Sequence, residues 1–279
     1  MQYDLHVHTT ASDGVLSPPE VIDKAIAEGL RGIAITDHDT VDGLEPALSY
    51  QEAGDLPITV IPGIEMNTES DGQEIHILGY YIDYHNLRLK GRLQEIREAR
   101  RERAEKMIIK LRGLGMLVSF KQVENLAKGD LIGRPHIAQA LVEKKYVYSI
   151  KEAFEKYIGR GKPAYVSRYK FLPQEAVDLI KKAGGVTVLA HPGLIKNLEV
   201  VSSIIKLGIE GIEVFYPEHS DRQINQFTEL CRKNRLLITG GSDYHGNGND
   251  ESRNRLGCSG IKTNQMEKII KYHNMAKEK

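Results

Sequence analysis

Tryptophan is absent from this chain of 279 residues, cysteine occurs twice, and aromatic residues make up only 6%. Cys231 and Cys258 form no CxxC pair, which argues against a cysteine-rich structural zinc site; two free thiols in a reducing cytoplasm are expected. No apolar run approaches the roughly 20 residues of a membrane span. The opening Met-Gln-Tyr-Asp-Leu-His lacks the basic and apolar regions of a signal peptide. Net charge is missing too, since 38 Lys and Arg face 38 Asp and Glu. That balance removes the global field of a general nucleic-acid or anionic-membrane binder, while a local basic pocket stays open. Internal repeats and low-complexity stretches are also lacking. What remains is the composition of a globular protein, 41% hydrophobic and 27% charged, long enough for one large domain or two smaller ones. Against these absences stand ten histidines, the one count that calls for an explanation.

From the start to about Tyr84, short apolar runs alternate with helix-like segments, the pattern of βα units around a parallel sheet. Strands are predicted at Tyr3 to Val7, Gly32 to Thr36, Ile58 to Ile64 and Glu74 to Ile82. Ser17-Pro18-Pro19-Glu20 is a helix start, with Ser as cap, Pro in the first turn and Glu placed to close a capping box. Gly29 ends that helix, and Asp42 is expected to cap a second one running to about Ala53. Residues from about Leu87 to Pro163 read differently. Leu89, Leu93, Ile96, Met107, Leu111 and Leu114 recur at helical intervals among Arg, Lys and Glu, and shorter helices are expected near Gln122 to Ala127, Pro135 to Lys144 and Ile150 to Tyr157. The expected division is therefore a barrel-type domain from 1–86 and 164–279, with an inserted helical subdomain at 87–163. The βα pattern resumes with strands Val186 to Ala190, Gly211 to Phe215 and Leu236 to Gly240, and helices Gln174 to Lys182, Leu198 to Lys206 and Ser220 to Lys233.

The histidines sit where strands end. His6-Val7-His8 closes the first strand, and extended backbone sends side chains i and i+2 to the same side. Asp13 follows in the loop, Thr36-Asp37-His38 ends the second strand, and Gly63-Ile64-Glu65 ends the third. His76 lies on the fourth strand, Ala190-His191-Pro192 ends another, and Ser242-Asp243-Tyr244-His245 follows the last. Taken singly, each could be a satisfied core histidine or a helix-capping carboxylate. Together, nine such groups on the face where α/β barrels keep their active sites read as metal ligands. Imidazole and carboxylate without thiolate suit Mn, Fe or Zn, and nine ligands suit two or three ions. Clustered ions lower the pKa of bound water and clamp an anionic phosphate, so the constellation points to hydrolysis.

The motifs HVHTTASDG (6 to 14), TDHDT (36 to 40), GIE (63 to 65), His76, AHP (190 to 192) and SDYH (242 to 245) resemble those of the PHP (polymerase and histidinol phosphatase) superfamily, in order and over nearly the whole chain. The resemblance implies an α/β fold, a distorted (β/α)7 TIM-like barrel, here with a helical insertion. It also implies a trinuclear site. His6, His8, Glu65 and Asp243 would hold one ion, Glu65 would bridge to a second held by His76 and His191, and Asp13, His38 and His245 would hold the third. Some members carry His where this chain has Asp13, and no ligand position is lost.

The insertion, with Gly133-Arg134-Pro135-His136 and Gly161-Lys162-Pro163, resembles the branch containing nucleoside 3′,5′-bisphosphate phosphatases. That likeness implies removal of a 3′-phosphate from a small nucleotide, with Glu65 and Asp243 at the reacting centre. Arg134 could fork two hydrogen bonds to a phosphate, or cap or pair within the insertion, and Lys162 could add a point charge. His219 could protonate the leaving oxygen or contact phosphate, or serve as a cap. Gly159-Arg160-Gly161-Lys162 is not a Walker A loop, because the spacing is wrong and Pro163 replaces Ser or Thr. The charged helix with Arg97, Arg100, Arg101 and Arg103 interleaves Glu95, Glu98, Glu102 and Glu105, which suits a solvated face.

The expected function is a cytoplasmic metal-dependent phosphoesterase acting on a small phosphorylated substrate, a nucleotide or short RNA, with no membrane and no stable nucleic-acid complex. The alternatives are a 5′-to-3′ exoribonuclease, a histidinol-phosphatase-like enzyme, an amidohydrolase-type barrel that would not need Asp13, His38 and His245, and a non-catalytic metal-binding scaffold. Oligomeric state is left open.

Overall fold

The computed structural model describes residues 2–127, 131–167, 169–246 and 255–277. They fall into two compact units, Met1–Lys90 with Phe171–Lys279, and Gly91–Lys170.

The first unit is built on seven strands joined in sequence order: β1 (Tyr3–Val7), β2 (Gly32–Ile35), β3 (Thr59–Ser70), β4 (Gln73–Tyr80), β5 (Val186–Leu189), β6 (Gly211–Phe215) and β7 (Leu237–Gly240). Past the end of β7, Val7 bridges Tyr244, with the His8 N–H donating to the Tyr244 carbonyl at 2.9 Å. The sheet thereby returns on itself as a nearly closed barrel, the distorted seven-stranded form expected from the motifs. Surrounding it are α1 (Pro18–Ala27) and α2 (Leu44–Ala53), and further along the chain α7 (Pro173–Lys182), α8 (Leu198–Lys206), α9 (Asp221–Asn234) and α10 (Thr263–Lys277). Apolar side chains of Leu5, Ala34, Ile61, Leu78 and Val188 pack in one cluster with Met266 and Ile269 of α10.

The all-parallel expectation fails at the middle of the sheet. β1 to β3 and β5 to β7 are parallel, but β3 and β4 form an antiparallel hairpin and β4 is antiparallel to β5 as well. Asp71 and Gly72 make the turn with φ of 48° and 71°, the left-handed pair that a two-residue hairpin requires. The hairpin lengthens β3 by six residues beyond the expected end at Ile64 and leaves His76 inside a strand, opposite Asn67. Two smaller differences concern helices. Asp42 does not cap α2; Gly43 holds that place and the helix opens at Leu44. The last helix, α10, had no counterpart in the sequence reading.

The second unit is helical. It carries most of α3 (Leu87–Gly113), then α4 (Phe120–Leu126), α5 (Arg134–Glu143) and α6 (Ile150–Ala153), which continues as a wider turn over Phe154–Ile158. Met107, Ile108, Leu111, Val123, Ile137 and Leu141 are among its buried core. The outer face of α3 is laced with pairs such as Lys106 to Glu102 and Arg92 to Glu95, as mixed charge on a solvated face requires, and Arg101 reaches across to Glu124 of α4.

Candidate metal centre

All nine predicted ligands lie in the barrel unit; five of the histidines converge on Glu65, and Asp243, Asp13 and His245 adjoin those histidines. Parallel pairing of β1 and β2, with His38 bridging Glu65 just past β2, brings the strand ends together. His6 Nε2, His8 Nε2 and His38 Nδ1 lie 3.2, 3.3 and 2.8 Å from Glu65 Oε2, while His76 Nδ1 and His191 Nε2 lie 2.8 and 3.1 Å from Oε1. Five imidazoles thus surround one fully buried carboxylate. Asp243 Oδ1 adds contacts of 3.3 Å to His6 and 3.1 Å to His8. Asp13 Oδ1 stands 3.3 Å from His245 Nε2.

Among the described residues, three sets have ligand atoms close enough to share an ion: His6, His8, Glu65 and Asp243; His8, Asp13, His38 and His245; and His38, Glu65 and His76. The first matches the set implied by the resemblance. In the others, His8 and His38 stand between neighbouring sets, and His191 meets the cluster through Glu65.

Burial acts against the charges of Glu65, Asp243, Asp13, His6 and His8, and opposite charges overcome it. Burial raises the pKa of Glu65 and Asp243, yet the surrounding imidazoles hold both carboxyls well below their usual range. Asp13 is likewise held down, by His38 and His245. Burial lowers the pKa of His8, but Asp243 and Glu65 lift it to about 10, and His6 is raised by Glu213, Asp243 and Glu65. His76 goes the other way, pushed down by burial with His191 and His38 beside it. Several converging atoms make no hydrogen bond, among them His6 Nε2, His38 Nδ1, Glu65 Oε2 and His76 Nε2. Buried polar atoms aimed at one another without hydrogen bonds fit a centre that divalent ions would complete.

Behind the ligands is a layer that the motifs did not reveal. Asp4 accepts from the Ser242 N–H at 2.8 Å and hydroxyl at 2.5 Å, from the Gly257 N–H at 2.8 Å and from the His6 N–H at 3.2 Å. It thereby fixes the chain on either side of Asp243. Asp37 accepts from the Thr9 N–H and hydroxyl and from the Ser12 hydroxyl, shaping the loop that carries Asp13. Asp39 accepts from the Asn67 backbone and side-chain N–H groups. Glu213 touches both His6 and His191. The one available signal was a charge inside an apolar strand, such as Glu213 in Gly-Ile-Glu-Val-Phe, which must find a partner when buried. Backbone strain collects at the same place: His191 and Asp243 have φ of 27° and 54°. At Gly241 an added Cβ would sit 2.4 Å from the His6 backbone nitrogen, so glycine alone allows β7 to pass β1 this closely.

The three remaining site expectations end differently. His219 is 7% exposed and both ring nitrogens are engaged: Nδ1–H donates to the Val214 carbonyl at 2.9 Å, and Nε2 accepts from the Gly193 N–H at 3.0 Å. Burial lowers its pKa, keeping it neutral. Of the roles expected for His219, this geometry favours the structural tie over a proton donor to a leaving group, because its single proton faces the Val214 carbonyl. Arg134 is the first residue of α5, half-buried, with its guanidinium 5.3 Å over the Phe154 ring. Lys162 is exposed in a turn where its N–H donates to the Gly159 carbonyl. Both belong to the helical unit. His136 Nδ1 accepts from the Gly133 N–H and closes the start of α5.

The family model described as PHP domain matches residues 4–183. The chain belongs to the PHP domain family. Several relatives cover most of it. A 3′,5′-nucleoside bisphosphate phosphatase of Chromobacterium violaceum is 35% identical over 88% of this chain and 87% of its own. The 5′-3′ exoribonuclease Rnm of Escherichia coli is 34% identical over 87% of this chain and 85% of its own. A solved structure from Bifidobacterium adolescentis, to which a metal-dependent phosphoesterase activity is attributed, superposes with a TM-score of 0.85 at 28% identity, covering 97% of this chain and 96% of that one. This PHP protein is a metal-dependent phosphoesterase, a hydrolase with phosphatase relatives. No described helix is long and apolar enough to cross a membrane.

Proposed function

We propose that this PHP protein hydrolyses the phosphate monoester of a small phosphorylated metabolite, with the 3′-phosphate of a nucleoside 3′,5′-bisphosphate as substrate. The observation that carries the reading is the clustering of six histidines with Asp13, Glu65 and Asp243, five of the histidines lying directly on Glu65, together with the 35% identity to a bisphosphate phosphatase. Two or three divalent ions, Mn, Fe or Zn, would be held by His6, His8, Asp13, His38, Glu65, His76, His191, Asp243 and His245. When bound, such ions supply Lewis acidity toward phosphoryl oxygens and an activated water.

The chain's own residues do the rest. Glu65 and Asp243 stay ionised at neutral pH and keep the pocket's ligand atoms converging. Tyr216 orients Asp243 by donating its hydroxyl proton to Oδ2 at 3.0 Å. Asp37 and Asp4 hold the loops that carry Asp13 and Asp243. Zero net charge supports a small substrate over a long polymer and supports a protein with no stable nucleic-acid complex and no membrane partner. Two free thiols support a cytoplasmic location.

A second reading, 5′-to-3′ exoribonuclease action on short RNA, is favoured by the 34% identity to Rnm. A phosphate-release screen with Mn, Fe or Zn across nucleoside 3′,5′-bisphosphates, 5′-phosphorylated oligoribonucleotides and histidinol phosphate tests both. The bisphosphate should have the highest kcat/KM, with little salt dependence. Preference for RNA with a steep salt slope would replace the first reading by the second. Metal uptake that raises the melting temperature without any turnover would leave only a scaffold role.

A further inference from the structure

Glu213 lies on β6, fully buried, and both its oxygens are committed. Oε1 is 3.0 Å from His6 Nδ1, and Oε2 accepts from the backbone N–H of His191 at 2.8 Å. On the far side of the same two residues stands Glu65: His6 Nε2 faces its Oε2 at 3.2 Å, and His191 Nε2 faces its Oε1 at 3.1 Å. The His6 and His191 rings stack with centroids 5.8 Å apart and planes 19° from parallel. One carboxylate behind the cluster therefore touches two imidazole residues that meet the two different oxygens of the carboxylate at its centre.

We infer that Glu213 is a positioning residue that sets two ligands at once, the ring tautomer of His6 and the backbone angle of His191, and so couples ion binding on the two sides of Glu65. The inference rests on the metal-centre reading and is independent of the substrate. Its chemistry is an acceptor count. A carboxylate facing Nδ1 requires that nitrogen to carry the proton, which leaves the Nε2 lone pair of His6 for an ion. The His191 N–H is a donor that cannot change its role, and it belongs to a residue whose φ of 27° is costly without support. Both partners donate, so the side chain between them must accept on both arms. Glutamate does, whereas glutamine has one carbonyl oxygen and one NH2 group. With its oxygen toward His191, glutamine would present N–H to His6 Nδ1 and force the proton onto Nε2. With its oxygen toward His6, it would set donor against donor at His191.

The test compares wild type with Glu213→Gln by titrating Mn2+ and Zn2+ into the metal-free full chain, with stoichiometry by elemental analysis and melting temperature measured without metal. Affinity should fall about 10- to 100-fold, the range for loss of a partner behind a metal-bound histidine, and more than one bound ion should be affected. Melting without metal should shift far less than a general loss of packing would require. Weakening confined to a single ion, or wild-type affinity, would overturn the inference while leaving the metal centre standing. Wild type that takes up neither metal would overturn the metal-centre reading and this inference with it. A second measurement needs no variant. In 15N-histidine-labelled wild type loaded with Zn2+, long-range proton–nitrogen spectra should find His6 protonated at Nδ1, and an unprotonated Nδ1 would refute the tautomer argument.

Discussion

The hydroxyl of Tyr216 donates to Asp243 Oδ2 at 3.0 Å, while Oδ1 of the same carboxylate faces His6 and His8. One oxygen of Asp243 is thus held from behind and the other is directed into the cluster. Hydrogen bonds to charged groups are worth about 1.5–3 kcal/mol. Tyr216→Phe should lower kcat about 10- to 100-fold, with the full complement of bound metal retained. Steady-state kinetics beside metal analysis on the same sample checks this, and unchanged kcat would remove Tyr216 from the positioning of Asp243.

Asp243→Asn keeps the shape and removes the charge. Near-complete loss of turnover is expected, with circular dichroism unchanged, because Asp243 lies among three imidazoles that burial otherwise disfavours. Wild-type turnover would exclude Asp243 as a ligand.

Titration of the metal-free chain should have a definite sign. His8 rises to about 10 from its ordinary 6.5, so its contribution to stability is fully present below about 6.5 and is lost as pH rises through about 10. Glu65 and Asp243 are depressed, so theirs is present above about 4 and is lost as pH falls through their folded values. Melting temperature without metal should therefore fall between pH 7 and 10. Metal uptake must displace the histidine protons, so apparent Mn2+ affinity should increase over the same interval, with protons released. Calorimetry in buffers of different ionisation enthalpy measures both, and pH-independent uptake would contradict the argument.

His219→Ala separates a structural tie from a proton donor. It leaves the Gly193 N–H and Val214 carbonyl without their partner, and a loss of about 2–5 kcal/mol of stability is expected. Turnover per folded molecule should stay within about threefold, and its dependence on leaving-group pKa should not change. A steeper dependence, measured at low temperature on a series of aryl phosphates, would restore the acid role.

The ligands were legible because each sits in a short motif whose spacing has a local meaning: HxH on extended backbone, an acidic or imidazole group just past an apolar run. Alternation of apolar runs and helices likewise gave seven strands at nearly their observed positions. The antiparallel pairing of β4 is written in Asp71-Gly72, a turn signal that the βα units on either side outweigh. α10 escaped because its buried positions, Met266, Ile269 and His273, are thin among polar residues. Asp4, Asp37 and Glu213 were beyond local reading: their partners lie 238, 28 and 207 residues away, and no spacing rule reaches that far.

Asp4 also bears on the order of events as the chain is made. Its carboxylate gathers Ser242 and Gly257, residues synthesised more than two hundred positions later. A nascent chain that has released only β1 to β5 has most of the histidines but neither Asp243 nor the Ser242 and Gly257 groups that donate hydrogen bonds to Asp4. The centre is completed last, so an interrupted or truncated product that lacks Ser242 to Gly257 would have no finished site.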